Sequence, residues 1–214
     1  MRNANAVVWD LDNTLYPFNT DYLGKITSLY AEYLAQSYSL PFEDAEELRA
    51  KAFAHVGLEV FAFDDLDPEH YYHWVFDRLI NHLDWLTPNK QVNNLFTKID
   101  VPQYVLSHSR TDYAVDVVRR LGLDQHIPAQ NIFGLDTVGI HPTSLKTHEK
   151  PYIWLQKRLG VPYRDIVVVE DSIKNLVAAK GLGMYTIHIG QRPKEATPYI
   201  DESHPDLPAL LKSV

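Results

Sequence analysis

Two groups of carboxylates stand out in the sequence because each follows a short apolar segment. Asp10 and Asp12 come directly after residues 6–9, and Glu170-Asp171 follows residues 166–169. Acidic side chains held close together repel unless a cation or a shared proton relieves them. Mg²⁺ in proteins is bound by carboxylates, other oxygen atoms and water. The two groups indicate a metal or acid–base site, although a solvated acidic turn would explain Asp10 and Asp12 equally well.

Hydroxyl and ammonium groups occur at comparable places. Ser107-His108-Ser109 follows the apolar residues 104–106, and Lys150 begins a helical pattern at Lys150-Pro151. Hydroxyl and backbone N–H donors can hold phosphate oxygens, and a lysine can neutralise developing negative charge. The alternatives are a serine that starts a turn and a lysine on the surface. Lys146, four residues earlier, competes with Lys150 for the role.

The elements that would position these groups alternate along the chain. Apolar strand patterns at 6–9, 104–106, 166–169 and 185–189 are followed by polar residues and in most cases by a helical pattern. This alternation predicts an α/β fold with a Rossmann-like parallel sheet and helices on both faces. Because all carboxyl ends of parallel strands meet at one edge, the polar groups would lie together there.

A long helical segment interrupts this alternation. Residues 19–87 contain no convincing strand, and Asp67-Pro68 has the form of a helix start with Asp67 as its N-cap. A connection of this length is far longer than usual. We therefore expect an α/β core formed by residues 1–18 and 88–214, and an inserted all-α cap domain at 19–87.

Composition excludes several functions. The 214-residue chain has a formal net charge of −8 and no cysteine. Without a basic face the chain is not expected to bind a nucleic-acid polymer, and without cysteine it has neither disulfides nor thiolate metal sites. No signal peptide and no membrane-spanning segment are evident, so a cytoplasmic protein without a membrane partner is the expectation. The sequence does not indicate an oligomeric state.

In their order and spacing these motifs resemble those of the haloacid dehalogenase-like (HAD) phosphatase superfamily, over about residues 7–190. Asp10-Leu11-Asp12-Asn13-Thr14 is similar to the first motif, Ser107 to the second, Lys150-Pro151 to the third, and Glu170-Asp171 with Ser172 and Asn175 to the fourth. The helical insertion resembles the cap of many members. His108 is a departure, because an asparagine often follows the residue of the second motif.

The resemblance implies a role for each residue in a two-step phosphoryl transfer. Asp10 would be the nucleophile, and Asp12 would protonate the leaving group and then activate water. Mg²⁺ would be held by Asp10, by the main-chain carbonyl of Asp12 and by Asp171, with Glu170 acting indirectly. The phosphoryl oxygens would be bound by Ser107, Lys150 and, in place of the usual asparagine, His108. Thr14, Ser172 and Asn175 would orient these groups.

The substrate implied by the resemblance is a small phosphorylated metabolite. Haloacid dehalogenases lack the second acid, so Asp12 favours phosphate chemistry. Within the superfamily, the chain resembles most the pyrimidine 5′-nucleotidase-like branch, on residues 12–16, His55-Val56-Gly57, 67–69, Leu86 with Pro88, and 170–176. The alternatives are a sugar phosphomutase, a phosphoglycolate-type phosphatase, and a catalytically idle binding or regulatory protein.

Overall fold

A parallel β-sheet carries the residues that the sequence singles out. The computed structural model describes residues 4–56, 58–191 and 197–213, without the side chains of residues 55 and 56. Within these ranges the strands are β1 (Ala6–Trp9), β2 (Gln103–Leu106), β3 (Ile132–Phe133), β4 (Ile166–Glu170), β5 (Tyr185–Ile189) and β6 (Glu202–His204). They form one six-stranded parallel sheet in the order β3-β2-β1-β4-β5-β6. The prediction of a Rossmann-like α/β fold is confirmed.

The sheet order places β1 where the direction of strand addition reverses. Val7 of β1 pairs with Gln103 of β2 on one side and with Val167 of β4 on the other. In open α/β sheets, ligands bind outside the carboxyl ends of the strands at such a point. The loops that follow β1, β2 and β4 therefore meet at the preferred binding place of this fold.

The central strands are apolar throughout because both of their faces are covered. Every residue of β1 and of β4 is buried, as expected for a parallel sheet between helices. One face contributes Val8, Leu106 and Val168 to a core cluster that also contains Tyr152 and Leu155. This packing gives the loops at the carboxyl edge a firm support.

The helices follow the strands in the predicted alternation. They are α1 (Thr20–Tyr38), α2 (Phe42–Val56), α3 (Pro68–Leu79), α4 (Lys90–Phe96), α5 (Thr111–Arg120), α6 (Leu135–Val138), α7 (Lys150–Leu159), α8 (Ile173–Gly181) and α9 (Leu207–Lys212). Short 3-10 turns lie at Glu59–Ala62, Ile80–His82, Ala129–Asn131, Pro142–Ser144 and Tyr163–Asp165. Helix α7 ends at Gly160, whose φ of 66° closes the helix in the left-handed conformation that glycine adopts without strain.

The chain divides into two compact units. The first comprises Met1–Pro17, Leu86–Gly139 and Thr143–Val214, and the second Phe18–Trp85 with Ile140–Pro142. The sequence placed the corresponding boundaries at 18/19 and 87/88, and it did not anticipate that residues 140–142 group with the helical segment.

The second unit is built from helices α1, α2 and α3. Helix α1 is capped by Asn19, which accepts a hydrogen bond from the Tyr22 N–H at 2.7 Å. Asp67 caps α3 as predicted, accepting from the Glu69 N–H at 2.9 Å. Gly57 and the side chains of His55 and Val56 lie outside the described residues, so the His55-Val56-Gly57 feature is not tested here.

Strand β3, helix α6, strand β6 and helix α9 were not predicted individually from the sequence. Strand β3 has only two residues, and β6 and α9 lie in the charged, proline-containing segment after Gly190. Strand β6 pairs with β5 at the edge of the sheet. Among the described residues, no helix is both long enough and apolar enough to cross a membrane.

Candidate active site

The loop after β1 presents the first two carboxylates. The Asp10 N–H still continues the sheet ladder, donating to the Val169 carbonyl at 2.9 Å, and its side chain is buried. The chain then turns through Asn13, whose φ of 66° lies in the left-handed region that asparagine tolerates. This turn brings the Asn13 amide to Asp171, where it donates to Oδ2 at 2.9 Å.

Asp12 is held by two hydroxyl groups. Tyr16 donates to its Oδ1, and the Ser109 hydroxyl donates to its Oδ2 at 2.6 Å. Ser109 is itself fixed by the loop after β2, because its N–H donates to Ser107 Oγ at 2.9 Å. The sequence reasoning treated Ser109 only as one of the donors after the second strand, and it assigned no role to Tyr16. Their positions, four residues after Asp12 and two after Ser107, were the available signals.

Lys146 provides the cation of the site, whereas the sequence analysis chose Lys150. The Lys146 ammonium donates to Asp10 Oδ1 and, at 2.7 Å, to Glu170 Oε2, and its side chain is only 4% exposed. Lys150 is exposed and donates to Ser144 Oγ at 3.1 Å. The prediction that Lys150 reaches the carboxylates is therefore wrong.

The reason lies in the way α7 meets the sheet. Pro151 and Tyr152 form the buried side of its first turn, so Lys150 lies on the solvent side. The loop before α7 instead places the Lys146 ammonium against Asp10 and Glu170.

Glu170, the last residue of β4, and Asp171, which follows it, lie in the same site. Glu170 Oε1 accepts from the Ser172 N–H at 3.1 Å. The main-chain carbonyl of Asp171 lies 3.1 Å from His188 Nε2 on neighbouring β5. Because a carbonyl only accepts, Nε2 must donate, so the ring fixes the backbone of Asp171. No sequence signal indicated His188.

The remaining predicted residues lie nearby with more limited contacts. Ser107 is buried, and its N–H donates to the Phe133 carbonyl at 3.0 Å. Thr14 Oγ1 is buried and has no hydrogen-bond partner among the described residues. Asn175 is buried at the start of α8. His108 Nε2 accepts the backbone N–H of Lys146 at 2.7 Å.

The cluster holds more negative charge than Lys146 balances. Burial raises the pKa of Asp10 and of Asp12 above the usual range, and it also raises the pKa of Glu170, with the Asp10 charge adding to the effect. Burial alone would lower the pKa of Lys146, but the charges of Asp10 and Glu170 outweigh it and raise that pKa. These shifts favour the charged form of Lys146, and the raised carboxylate pKa values mean that a further cation would stabilise the charged carboxylates.

A divalent cation fits this deficit. Ligand oxygens of Asp10, Glu170 and Asp171 lie within 4.8 Å of one another, and Asp10 Oδ2 is buried without a hydrogen-bond partner among the described residues. Both oxygens of Glu170 already accept hydrogen bonds. Asp10 and Asp171 are therefore the better ligands, and Glu170 would act through Lys146. That the Asp12 carbonyl joins them stays a prediction.

Comparisons with known proteins agree with this geometry. A family model described as haloacid dehalogenase-like hydrolase matches residues 4–183, whereas no curated protein sequence matches the chain. The structure of a HAD phosphatase from Thermococcus onnurineus is similar, with a TM-score of 0.67 at 16% identity over 98% of this chain and 97% of that one.

The structures of two proteins named for other reactions are also similar to this chain. A putative beta-phosphoglucomutase from Thermotoga maritima has a TM-score of 0.60 at 17% identity, over 98% of this chain and 99% of that one. An L-2-haloacid dehalogenase from Xanthobacter autotrophicus, with chloropropionic acid covalently bound, has a TM-score of 0.59 at 16% identity, over 98% of this chain and 97% of that one. At such identities the likeness extends to the fold alone.

Proposed function

Because this chain belongs to the haloacid dehalogenase-like hydrolase family, we propose that it is a Mg²⁺-dependent phosphomonoester hydrolase with Asp10 as its nucleophile. The observation that carries the proposal is the second carboxylate. Asp12 lies two residues after Asp10 and is oriented by Tyr16 and Ser109. A dehalogenase needs no acid at this place, whereas phosphoryl transfer to a nucleophile requires a proton for the departing oxygen.

In the first step, a carboxylate oxygen of Asp10 forms a bond to phosphorus. The bond between phosphorus and the ester oxygen breaks, its electron pair stays on that oxygen, and Asp12 supplies a proton to it. In the second step, Asp12 takes a proton from water as the water oxygen bonds to phosphorus, and the bond between phosphorus and the Asp10 oxygen breaks with its electron pair left on that oxygen. Inorganic phosphate leaves and Asp10 is regenerated as a carboxylate. One difficult displacement is thus divided into two easier ones.

The partners of Asp12 suit both halves of this cycle. A hydroxyl group can donate to a carboxylate and can accept from a carboxylic acid. Tyr16 and Ser109 can therefore orient Asp12 with or without its proton. Burial, which raises the pKa of Asp12, favours the protonated form that the first step needs.

Lys146 and Ser107 are suited to bind the negatively charged phosphoryl oxygens. Most catalysis of phosphoryl transfer consists of positioning and of neutralising charge on the phosphoryl oxygens. Lys146 contacts Asp10 directly, so its ammonium is suited to stabilise oxygens on a phosphorus atom bonded there, and the Ser107 hydroxyl can donate to them. Mg²⁺ bound by Asp10 and Asp171 would add charge neutralisation and orient the phosphoryl group.

The substrate that we propose is a small phosphorylated metabolite. A pyrimidine nucleoside 5′-monophosphate is the first candidate, on the sequence resemblance of residues 12–16 and 170–176. A sugar phosphomutase is the second candidate, supported by the similar fold of the putative beta-phosphoglucomutase.

The test is phosphate release from a panel of nucleoside monophosphates, sugar phosphates and phosphoglycolate, with Mg²⁺ and with EDTA. We expect release with Mg²⁺ only, and loss of turnover in Asp10→Asn with unchanged thermal unfolding. Asp124→Asn, at an exposed carboxylate, is the matched control. Full activity of Asp10→Asn would refute the nucleophile assignment.

The other candidates predict different results. A mutase would interconvert sugar phosphates, need a bisphosphate activator and release little phosphate. A folded protein that binds Mg²⁺ but turns over none of the compounds would favour the idle binding protein.

A further inference from the structure

His108 links two loops that both contribute to the site. It follows Ser107 at the end of β2, and its Nε2 lies 2.7 Å from the backbone nitrogen of Lys146, which is 38 residues later in the chain. The backbone N–H donates and the ring nitrogen accepts. Because the contact is made to the main chain of Lys146, it fixes the position of the backbone of that residue and does not hold the ammonium group directly.

Lys146 needs such a partner because it stands in a loop. It lies after the turn Pro142–Ser144 and before α7, which begins at Lys150, so no helical carbonyl is available to its N–H. The residue is only 3% exposed. A buried N–H without an acceptor costs about 1–3 kcal/mol. The His108 ring supplies the acceptor that regular secondary structure would provide elsewhere.

The direction of this hydrogen bond determines the state of the ring. Nε2 can accept only in a neutral imidazole that carries its proton on Nδ1. Burial lowers the pKa of His108 to about 3, and the charge of Lys146 contributes in the same sense. The ring is therefore neutral at physiological pH, as the contact requires.

We propose that His108 is a positioning residue, which holds the backbone of Lys146 so that its ammonium reaches Asp10 and Glu170. This inference rests on the proposed function, since it assigns Lys146 its place in phosphoryl transfer. It replaces the sequence-based expectation that His108 binds phosphate itself.

Substitution of His108 by glutamine or by asparagine distinguishes the role of Nε2 from that of Nδ1. The terminal atoms of glutamine lie close to the position of Nε2, and those of asparagine close to Nδ1. The positioning role predicts that His108→Gln keeps kcat within about threefold, whereas His108→Asn lowers kcat about 10–100-fold with little change in KM, as is typical when a supporting partner is lost. His148→Asn, at an exposed histidine of the same loop, is the matched control and should behave as wild type.

Direct phosphate binding predicts the opposite order. If Nδ1–H bound phosphate, the asparagine amide would restore the contact and glutamine would lose it. The His108→Gln variant would then be inhibited less strongly by inorganic phosphate. That pattern, or equal losses in both variants, would overturn the proposal.

A measurement without turnover keeps the inference separate from the proposed function. Imidazole ¹⁵N correlations should show the Nδ1–H tautomer, and exchange of the Lys146 amide proton should be slow in wild type and His108→Gln but at least tenfold faster in His108→Asn. An Nε2–H tautomer, or equal exchange in all three proteins, would refute the anchor. The expected tautomer and exchange in a protein that hydrolyses no phosphomonoester would support the anchor and refute the hydrolase.

Discussion

Replacing Lys146 by methionine tests the electrostatics of the site most directly. Methionine keeps the length of the side chain and removes its charge. The change leaves Asp10 and Glu170, both buried and both hydrogen-bonded to Lys146, without a neighbouring cation. Lys150→Met is the matched control, because Lys150 is exposed and contacts only Ser144 among the described hydrogen bonds.

The size of the effect follows from the geometry. Two unit charges 2.7 Å apart, as in the Lys146–Glu170 pair, attract by about 6 kcal/mol at an effective dielectric constant of about 20. Desolvation offsets much of this, and removal of one partner from a buried ion pair costs about 3–5 kcal/mol of unfolding free energy. For catalysis, loss of a group that stabilises transition-state charge lowers kcat about 10²–10³-fold. A change at exposed Lys150 should stay within about 0.5 kcal/mol.

The assay combines urea unfolding with phosphate release from a chromogenic aryl phosphate at saturating Mg²⁺. Lys146→Met should be destabilised and slow, while Lys150→Met should match wild type in both measurements. If Lys150→Met lost as much activity as Lys146→Met, or if Lys146→Met turned over within twofold of wild type, the assignment of the catalytic cation would be wrong.

Three further predictions concern the metal, the pH dependence and the loop after β2. Asp171→Asn should weaken Mg²⁺ binding about tenfold or more, because a carboxylate ligand is lost; the rise of the unfolding temperature with added Mg²⁺ measures this, and an unchanged rise would exclude Asp171 as a ligand. His108 has a native pKa of about 3 against 6.5 for the unperturbed group, so below pH 6.5 the unfolded chain takes up a proton that the native protein does not. The unfolding free energy of wild type should therefore fall relative to His108→Gln by about 1.4 kcal/mol per pH unit between pH 6 and pH 4; parallel pH profiles of the two proteins would contradict the buried neutral ring. A methyl group on Gly134 would lie 2.3 Å from the Ser109 carbonyl, so Gly134→Ala should cost about 1–3 kcal/mol and reduce kcat by displacing Ser109. Gly24→Ala in α1, with nothing within 4 Å of the added carbon, should instead stabilise the protein by up to about 1 kcal/mol, and equal effects of the two substitutions in urea unfolding would refute this reasoning.

The sequence was most informative where a residue's chemistry coincided with the end of a strand. Asp10, Ser107 and Glu170 each follow an apolar run, and the parallel sheet brings their loops together at the carboxyl ends of β1, β2 and β4. The geometry of such a sheet needs no knowledge of side-chain contacts. For that reason the fold class and the edge that carries the site were predictable.

Residues on loops were harder to place. The choice between Lys146 and Lys150 depends on which side of the first turn of α7 faces the sheet, and two lysines four residues apart give no information on that. His188 acts through the backbone of Asp171 across two neighbouring strands. A contact of this kind has no local signature in the sequence. Strand β6 was missed for a different reason, because its residues are polar and only partly buried at the sheet edge.

The position of β1 in the middle of the sheet has a consequence for the order in which the protein is made. The loop of Asp10, the proposed nucleophile, is synthesised near the beginning of the chain, but its partners come from residues far downstream, as in the hydrogen bonds Lys146–Asp10, across 136 residues, and Asn13–Asp171, across 158 residues. At usual rates of translation about 10–30 s separate the first motif from the last, and contacts of such long range form slowly. Until Lys146 and Asp171 are synthesised, Asp10 and Asn13 lack these two partners. We therefore expect these long-range contacts to form later than the individual helices in a refolding experiment.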